Sequence, residues 1–455
     1  MGLEVDITWL TVLMFGSLLV LLMAGLPLAF VTGGLACTFL FVFGDARMLN
    51  ILPSRIYPFM TDYQLSAIPL FIFMASVLER AGVIQRLFDV IYKILGGLQG
   101  GLASATIIAS TILAAMVGVI GAAEVTMGII ALPAMLQRKY NPHLACGSIL
   151  AGGTLGILIP PSILAILFAV VAQQSVGELF IGAVFPGLLL SGMYVLYVTA
   201  RSYMDPAKGP ALAPEERVSL IEKVRLLQGI IAPVILVFLV LGVIFTGVAT
   251  PVEAAGIGTF GALVVAALYR RLSWLAVQEA ALTTLKASAM VLWIIFGASI
   301  FVGFYIVNGG AQFVTETLVG TGLGSYGILL IMMIILIVLG MFLDWVGILL
   351  LAVPIFAPIM RSLPWEGLFG LPGIAPSDVP LWFGVVYMVN MQMSFLSPPF
   401  GYALFYLKSV APPEITIGTI FRSAVPFLFL QATGLTVCIL FPNIILWLPK
   451  MVYGG

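Results

Sequence analysis

Gly152-Gly-Thr-Leu-Gly-Ile-Leu-Ile-Pro-Pro-Ser162 interrupts one apolar run with two adjacent prolines, and Asn390-Met-Gln-Met-Ser-Phe-Leu-Ser-Pro-Pro-Phe-Gly401 interrupts another in the same way. A Pro-Pro pair removes two backbone donors and bars the residue before it from helix. Each run is therefore expected as two half-helices joined by an unwound link. The interrupted runs sit in a chain of 455 residues that is 62% hydrophobic and only 8% charged. Soluble domains carry about 25% charged residues, and so few charges cannot cover a water-facing surface. A bilayer is the solvent that suits this composition, and roughly 20 apolar residues cross its core as a helix. Leu227–Phe245, Tyr326–Leu343 and Phe421–Phe441 meet that length. Barrel strands would alternate polar and apolar over about 10 residues. These runs are continuous, so the expected fold class is an all-α polytopic membrane protein.

Ahead of each break lies a segment that resists simple spanning. Gly101–Leu136 is flanked on both sides by basic residues: Arg80, Arg86 and Lys93 before it, Arg138 and Lys139 after it. Two flanks on one side of the membrane imply a hairpin that enters and returns. Its middle, Met116-Val-Gly-Val-Ile-Gly-Ala-Ala-Glu124, puts glycines where a tip belongs. Ser325–Met360 has flanks with a single basic residue, so this second hairpin is expected to enter from the opposite face. Its middle reads Leu339-Gly-Met-Phe-Leu-Asp-Trp-Val-Gly347. Hairpin then broken helix thus occurs twice with opposite orientation, which is an inverted repeat, and such elements surround the sites of secondary transporters. The plainer alternative is that Gly and Pro only kink these helices for packing.

Further spans are expected at Ile7–Ala24, Leu26–Phe43, Leu52–Leu78, Glu178–Thr199, Pro251–Tyr269 and Lys286–Val307, with Leu272–Leu285 as an interfacial amphipathic helix. Arg201–Leu226 is the one long polar segment. Basic loops face the cytoplasm, and threading the chain accordingly gives a periplasmic N-terminus. All 19 Lys and Arg then fall on the cytoplasmic side except Arg47, Arg55, Arg361 and Lys450. Glu4 and Asp6 precede the first run, which reads as a retained helix rather than a cleaved signal.

Unwound links expose carbonyl oxygens, which suit a hard cation such as Na⁺, while half-helix N-termini expose N–H groups that suit an anion. The cation-binding candidates are Gly118, Gly121, Gly153, Gly156, Pro160, Gly340, Asp344, Ser394 and Ser397. The substrate-binding candidates are Thr154, Ser162, Asn390, Gln392 and Gly401. Any single Ser or Thr is equally able to bond back to its own helix. Glu124, Glu253 and Asp344 are intramembrane carboxylates and hence functional candidates. Glu253 follows Thr250-Pro251 and can instead complete a helix first turn.

Net charge is zero, which removes the electrostatic case for nucleic acid. Cys37, Cys146 and Cys438 are far apart, His143 is the only histidine, and no disulfide or metal spacing is present. The sequence has no G-x-x-x-x-G-K-S/T loop and no catalytic cluster, so no enzyme and no organic cofactor are expected. The energy source is expected to be an ion gradient. A membrane enzyme, which would need a catalytic cluster, and a channel are the other classes; two oppositely entering hairpins favour an alternating-access carrier over the channel.

With these motifs in place the sequence resembles the large membrane subunit of the tripartite ATP-independent periplasmic (TRAP) transporters, over nearly the whole chain. The most specific parts are Gly153 through Ser162, Thr250-Pro-Val-Glu-Ala-Ala255 and Asn390 through Gly401. Leu343 through Ile348 and Ser394 through Phe405 look closer to the branch handling 2-oxo acids, mannitol-like or aromatic acid substrates. The resemblance implies an elevator-type, Na⁺-coupled importer in the bacterial inner membrane. It also implies a separate small membrane subunit (the Q subunit) and a soluble periplasmic binding protein that delivers an organic anion. On that reading residues 1–80 are scaffold, 81–200 the first transport half, 201–226 a cytoplasmic linker, and 227–306 scaffold and the start of the second repeat. Residues 307–441 are the second transport half and 442–455 a periplasmic tail. Many members carry Ser-Gly-Ser-Ser at the first tip where this chain has Val117-Gly-Val-Ile120, so a cation there is left with carbonyl ligands and the family's ion ligands do not transfer directly.

Overall fold

The computed structural model describes residues 5–44, 46–118, 120–367, 371, 373–399 and 401–454, and every regular element among them is helical. The first half runs α1 (Ile7–Met23), α2 (Leu28–Phe43), α3 (Ile51–Thr61), α4 (Ala67–Arg80) and α5 (Val83–Leu95). A hairpin of α6 (Gly101–Val117) and α7 (Ile120–Gln137) follows, then a broken helix of α8 (Pro142–Thr154) and α9 (Ile163–Ala172), then α10 (Val176–Met204). After the short α11 (Leu220–Leu227) the order repeats with α12 (Ile231–Phe245), α13 (Pro251–Leu268), α14 (Trp274–Val307) and α15 (Gly310–Val319). The second hairpin is α16 (Gly324–Gly340) with α17 (Trp345–Ser362), the second broken helix α18 (Val379–Leu396) with α19 (Tyr402–Val410), and α20 (Ile417–Leu440) and α21 (Asn443–Tyr453) close the chain. Among the described residues seven helices are long and apolar enough to cross a membrane, or up to eight with one bent pair.

Helix starts are written locally. Ser175 caps α10 by accepting from the Glu178 N–H at 3.3 Å, and Asn141 caps α8 by accepting from the His143 N–H at 2.9 Å with Pro142 in the first turn. Each cap satisfies one of the donors that a helix start leaves free. Glu253 forms a capping box with Thr250, its carboxylate accepting from the Thr250 N–H at 2.8 Å, and it is exposed. It therefore completes the first turn of α13 and faces no site.

Two expected boundaries differ. The span read as Leu52–Leu78 is a helix pair bent by 56° between Thr61 and Tyr63, because Asp62 turns extended and caps the turn that follows it. From Trp274 on, the segment read as an interfacial helix at Leu272–Leu285 instead belongs to α14, one continuous helix of 34 residues capped by Ser273. Nothing between Trp274 and Val307 is a proline, so no backbone signal ends the helix early. The strongly amphipathic helix is α5: Val83, Ile84, Leu87, Phe88, Val90 and Ile91 are buried along one side, while Arg86 and Lys93 lie on the other.

The two hairpins enter from opposite ends of the molecule. The base of α6 and α7 is tied to the loop after α10, with Gly100 N–H donating to the Gly209 carbonyl at 2.8 Å and Asn141 N–H to that of Lys208 at 2.9 Å. The base of α17 is tied to the opposite end, where Arg361 donates to the Ala172 carbonyl at 2.8 Å, just before α10 begins. The 29 residues of α10 separate these ends by roughly 43 Å at 1.5 Å per residue. Basic residues gather at the first end. Arg80 pairs with Glu279, Lys223 donates to the Ile94 carbonyl at 2.9 Å, and Arg86 and Arg138 stack on Tyr269 and Tyr92.

The halves are also interleaved. The second arm of each hairpin packs on the distal half of the other repeat's broken helix, α7 on α19 and α17 on α9. The proximal halves dock reciprocally, α8 on α20 and α18 on α10. Around them α2 packs on α14 and α4 on α13.

Candidate functional site

Both breaks fall at the prolines. Helix α8 tightens through a turn at Leu155–Ile157, unwinds, and restarts at Ile163, with Ser162 as cap accepting from the Ala165 N–H at 3.3 Å. Helix α18 ends at Leu396 and α19 begins at Tyr402. Pro160 lies 238 residues before Pro398, and the same 238 residues separate Thr154 from Gln392. Those two polar groups, equivalent by the repeat, meet: the Thr154 hydroxyl is 3.5 Å from the Gln392 Oε1 and accepts from the Gln431 Nε2 at 3.3 Å.

The tips sit against the breaks. Gly118 ends α6 with φ +63°, and a methyl group there would lie 2.7 Å from the Pro161 carbonyl oxygen. Only glycine combines that dihedral with that approach. Gly121 lies against the ring of Tyr406, where a methyl group would be 3.2 Å from it. Val119 of this tip and Phe400 of the second break lie outside the described residues. At the second tip Asp344 caps α17, accepting from the Gly347 N–H at 2.8 Å. Gly340, just before that tip, faces Ser394; a methyl group on it would come within 2.2 Å of the Ser394 Cβ. Gly401 faces the Phe395 carbonyl oxygen, 2.3 Å from where its Cβ would be.

A cavity of about 340 Å³ opens between these tips and the surrounding helices. One wall holds Gly121, Ile163, Asp344, Trp345, Tyr402 and Tyr406; the other is apolar and comes from α2, α4 and α14. Of the fourteen residues named from sequence, Gly121 and Asp344 line it. The other twelve do not line it. Asn390 donates to the Met333 carbonyl at 3.3 Å and Ser394 to that of Leu336 at 3.2 Å, so both hold α18 to α16. Ser162 bonds to the Ile157 carbonyl and Ser397 to that of Met393 at 2.7 Å, each back onto its own broken helix. Gly153 makes room for Glu124, whose Cγ would be 2.0 Å from a methyl group there, while Gly156 and Pro160 lie in the first link itself.

Sequence reasoning missed Tyr402 and Tyr406. They are four residues apart, hence on one face of α19, and a tyrosine pair in an apolar half-helix was the available signal. It also gave Glu124 too little weight. Its side chain is fully buried, and neither carboxylate oxygen has a hydrogen-bond partner among the described residues.

The family model for the DctM component of the tripartite ATP-independent periplasmic transporters matches residues 15–444. The C4-dicarboxylate TRAP transporter large permease protein DctM of Pseudomonas aeruginosa is 32% identical over 391 residues, covering 85% of this chain and 86% of that protein. The isethionate TRAP transporter permease protein DctMQ of Oleidesulfovibrio alaskensis is 27% identical over 88% of this chain and 61% of its own length. Among solved structures the YdaH transporter of Alcanivorax borkumensis superposes with a TM-score of 0.64 at 15% identity, over 95% of this chain and 99% of that one.

Proposed function

This chain belongs to the DctM component family of the tripartite ATP-independent periplasmic transporters, and from that premise we propose that it imports a small organic acid anion, coupled to Na⁺, by an elevator motion. The observation that carries this reading is the cavity flanked by both hairpin tips and both distal half-helices. Tyr402 and Tyr406 offer hydroxyl donors to a carboxylate, and backbone N–H groups at the start of α9 and α19 add to them. Asp344 and the carbonyls at the Gly118–Pro161 and Gly401–Phe395 approaches supply oxygen ligands for Na⁺. Gly340, Ser394 and Asn390 then act one layer back, fixing the second hairpin on its broken helix, and Ser397 ties off the end of α18. The hairpins and broken helices move as one body against α1–α4 and α12–α14. The apolar wall on the static side gives them no polar contact to break at the cavity, and the Thr126–Glu79 hydrogen bond between α7 and α4 is one that the motion would exchange. The C4-dicarboxylate relative supports an organic anion as cargo.

The tripartite family implies a periplasmic binding protein that delivers the cargo. A separate small membrane subunit is the second partner; the relative named DctMQ supports the pairing. The gathering of basic residues at the base of the first hairpin supports an inner-membrane chain with that end in the cytoplasm and its N-terminus in the periplasm.

The test is uptake into proteoliposomes that hold this chain and its small partner, given the binding protein and labelled organic acids. Accumulation is expected only with Na⁺ outside, and without ATP. Equal uptake when K⁺ replaces Na⁺ would remove the coupling. A second reading, proton coupling, is favoured by the unpartnered carboxyl of Glu124, since an isolated buried charge is too costly to keep without a bound cation or proton. It requires that the vesicle lumen acidify with uptake and that Glu124→Gln abolish the acidification.

A further inference from the structure

A second cavity, of about 230 Å³, lies at the basic end of the molecule, away from the hairpin tips. It opens between the start of α8, the last turns of α10, the first turns of α20 and the loop after α10. Its floor is apolar, formed by Leu144, Tyr197 and Phe427, and its rim is basic, formed by His143, Arg201 and Lys208. Lys208 pairs with Asp205 at 3.0 Å. The Arg201 guanidinium makes no hydrogen bond or close ion pair among the described residues and is exposed, with Asp205 near enough to feel its charge. His143 Nδ1 stands 3.3 Å from the Ser423 hydroxyl. The rim therefore holds two cations that share the single carboxylate of Asp205, an excess of one positive charge, and a histidine beside them.

The surfaces beside the cavity say what reaches it. On α10 Leu196 is 70% exposed, and on α20 Phe429 is 71% exposed. In a membrane chain such faces meet acyl chains. The cavity is thus an apolar recess with a cationic rim, open at the boundary between tails and headgroups. We propose that this recess binds the phosphodiester headgroup of an anionic lipid, with Arg201 and Lys208 on the phosphate oxygens and one acyl chain along Leu144, Tyr197 and Phe427. Basic pockets between membrane helices on the cytoplasmic side recognise such headgroups. Free phosphate has the same oxygen chemistry but no use for the apolar floor. The walls belong to α8, α10 and α20, so the lipid would be bound to the same body that carries the first break.

The experiment is native mass spectrometry of the intact chain from mixed micelles of phosphatidylglycerol and phosphatidylcholine, alongside thermal melting with each lipid or with inorganic phosphate. Phosphatidylglycerol should be retained preferentially and should raise the melting temperature, and phosphatidylcholine should do neither. Arg201→Gln should lower phosphatidylglycerol retention roughly fivefold, the value of one cation near an anionic surface. Arg201→Lys should keep most of it, which separates lost charge from misfolding, and Arg270→Gln, at an exposed basic loop elsewhere, should leave it unchanged. Retention by Arg201→Gln at the parent level would overturn the site. Protection by inorganic phosphate equal to that by phosphatidylglycerol would overturn the lipid as its occupant.

Discussion

At the first break a carboxyl group is packed against a glycine, while at the second an amide and a hydroxyl reach across to the carbonyls of the neighbouring hairpin arm. Glu124 fills the niche of Gly153 with both oxygens unpartnered among the described residues. Asn390 and Ser394 donate to Met333 and Leu336, and Gly340 leaves room for Ser394. The tips differ likewise. The first turns on a glycine pressed against the Pro161 carbonyl, and the second begins its return arm with a carboxylate at the cavity wall. The backbone plan is shared because prolines dictate it. Side chains are not bound by the repeat, and the two sites have been furnished separately: a carboxyl group buried behind the first, a carboxyl group at the mouth of the second.

The largest effect is expected at that mouth. Asp344→Asn keeps a good helix cap, since Asn and Asp cap about equally well, but removes the charge. Na⁺-dependent uptake should fall at least tenfold, about 1.4 kcal/mol, with little change in melting temperature. If the Asn variant keeps the parent's Na⁺ curve, Asp344 is a cap alone and the contrast between the tips is one of packing.

The glycine niches test the contrast from behind. Gly153→Ala and Gly340→Ala each drive a methyl group into a neighbour and should cost about 1–3 kcal/mol, read as a lower melting temperature. Adding Glu124→Ala should rescue Gly153→Ala, because the colliding atoms belong to that flexible side chain. It should do nothing for Gly340→Ala, whose obstacle is Ser394. Rescue of both, or of neither, would mean that the niches do not act separately.

The smallest effect belongs to the point where the halves meet. Thr154 and Gln392 are 3.5 Å apart, at the limit of a hydrogen bond. A double-mutant cycle between Thr154→Val and Gln392→Leu should give a coupling below about 1 kcal/mol. A coupling several times larger would make this contact a latch between the repeats.

Much of the fold was legible because it rests on local signals. Pro160-Pro161 and Pro398-Pro399 fix both breaks from adjacent residues, and basic flanks oppose the two hairpins. The continuity of α14 was missed because a polar stretch around Gln278–Lys286 looked like an interface, whereas a capped helix free of proline simply continues through it. The site was legible only in part. Asn390, Gln392, Ser394 and Ser397 cluster before a break, but sequence does not say which side of a wall a side chain faces. The answer depended on α16, more than fifty residues earlier, whose carbonyls receive Asn390 and Ser394. Tyr402 and Tyr406 were passed over because tyrosine in an apolar helix is unremarkable until its neighbours are known.

The interleaving of α7 with α19 and α9 with α17 carries a consequence for synthesis. A ribosome delivers the N-terminal hairpin first, at about 5–20 residues per second. The surface that closes over Gly121 is Tyr406, which emerges only after nearly three hundred further residues. Throughout that interval the early hairpin has left the ribosome without the half-helix that completes it. A nascent chain stalled before α19 would therefore hold a finished hairpin with an open flank, a form that membrane quality control could distinguish from the finished protein.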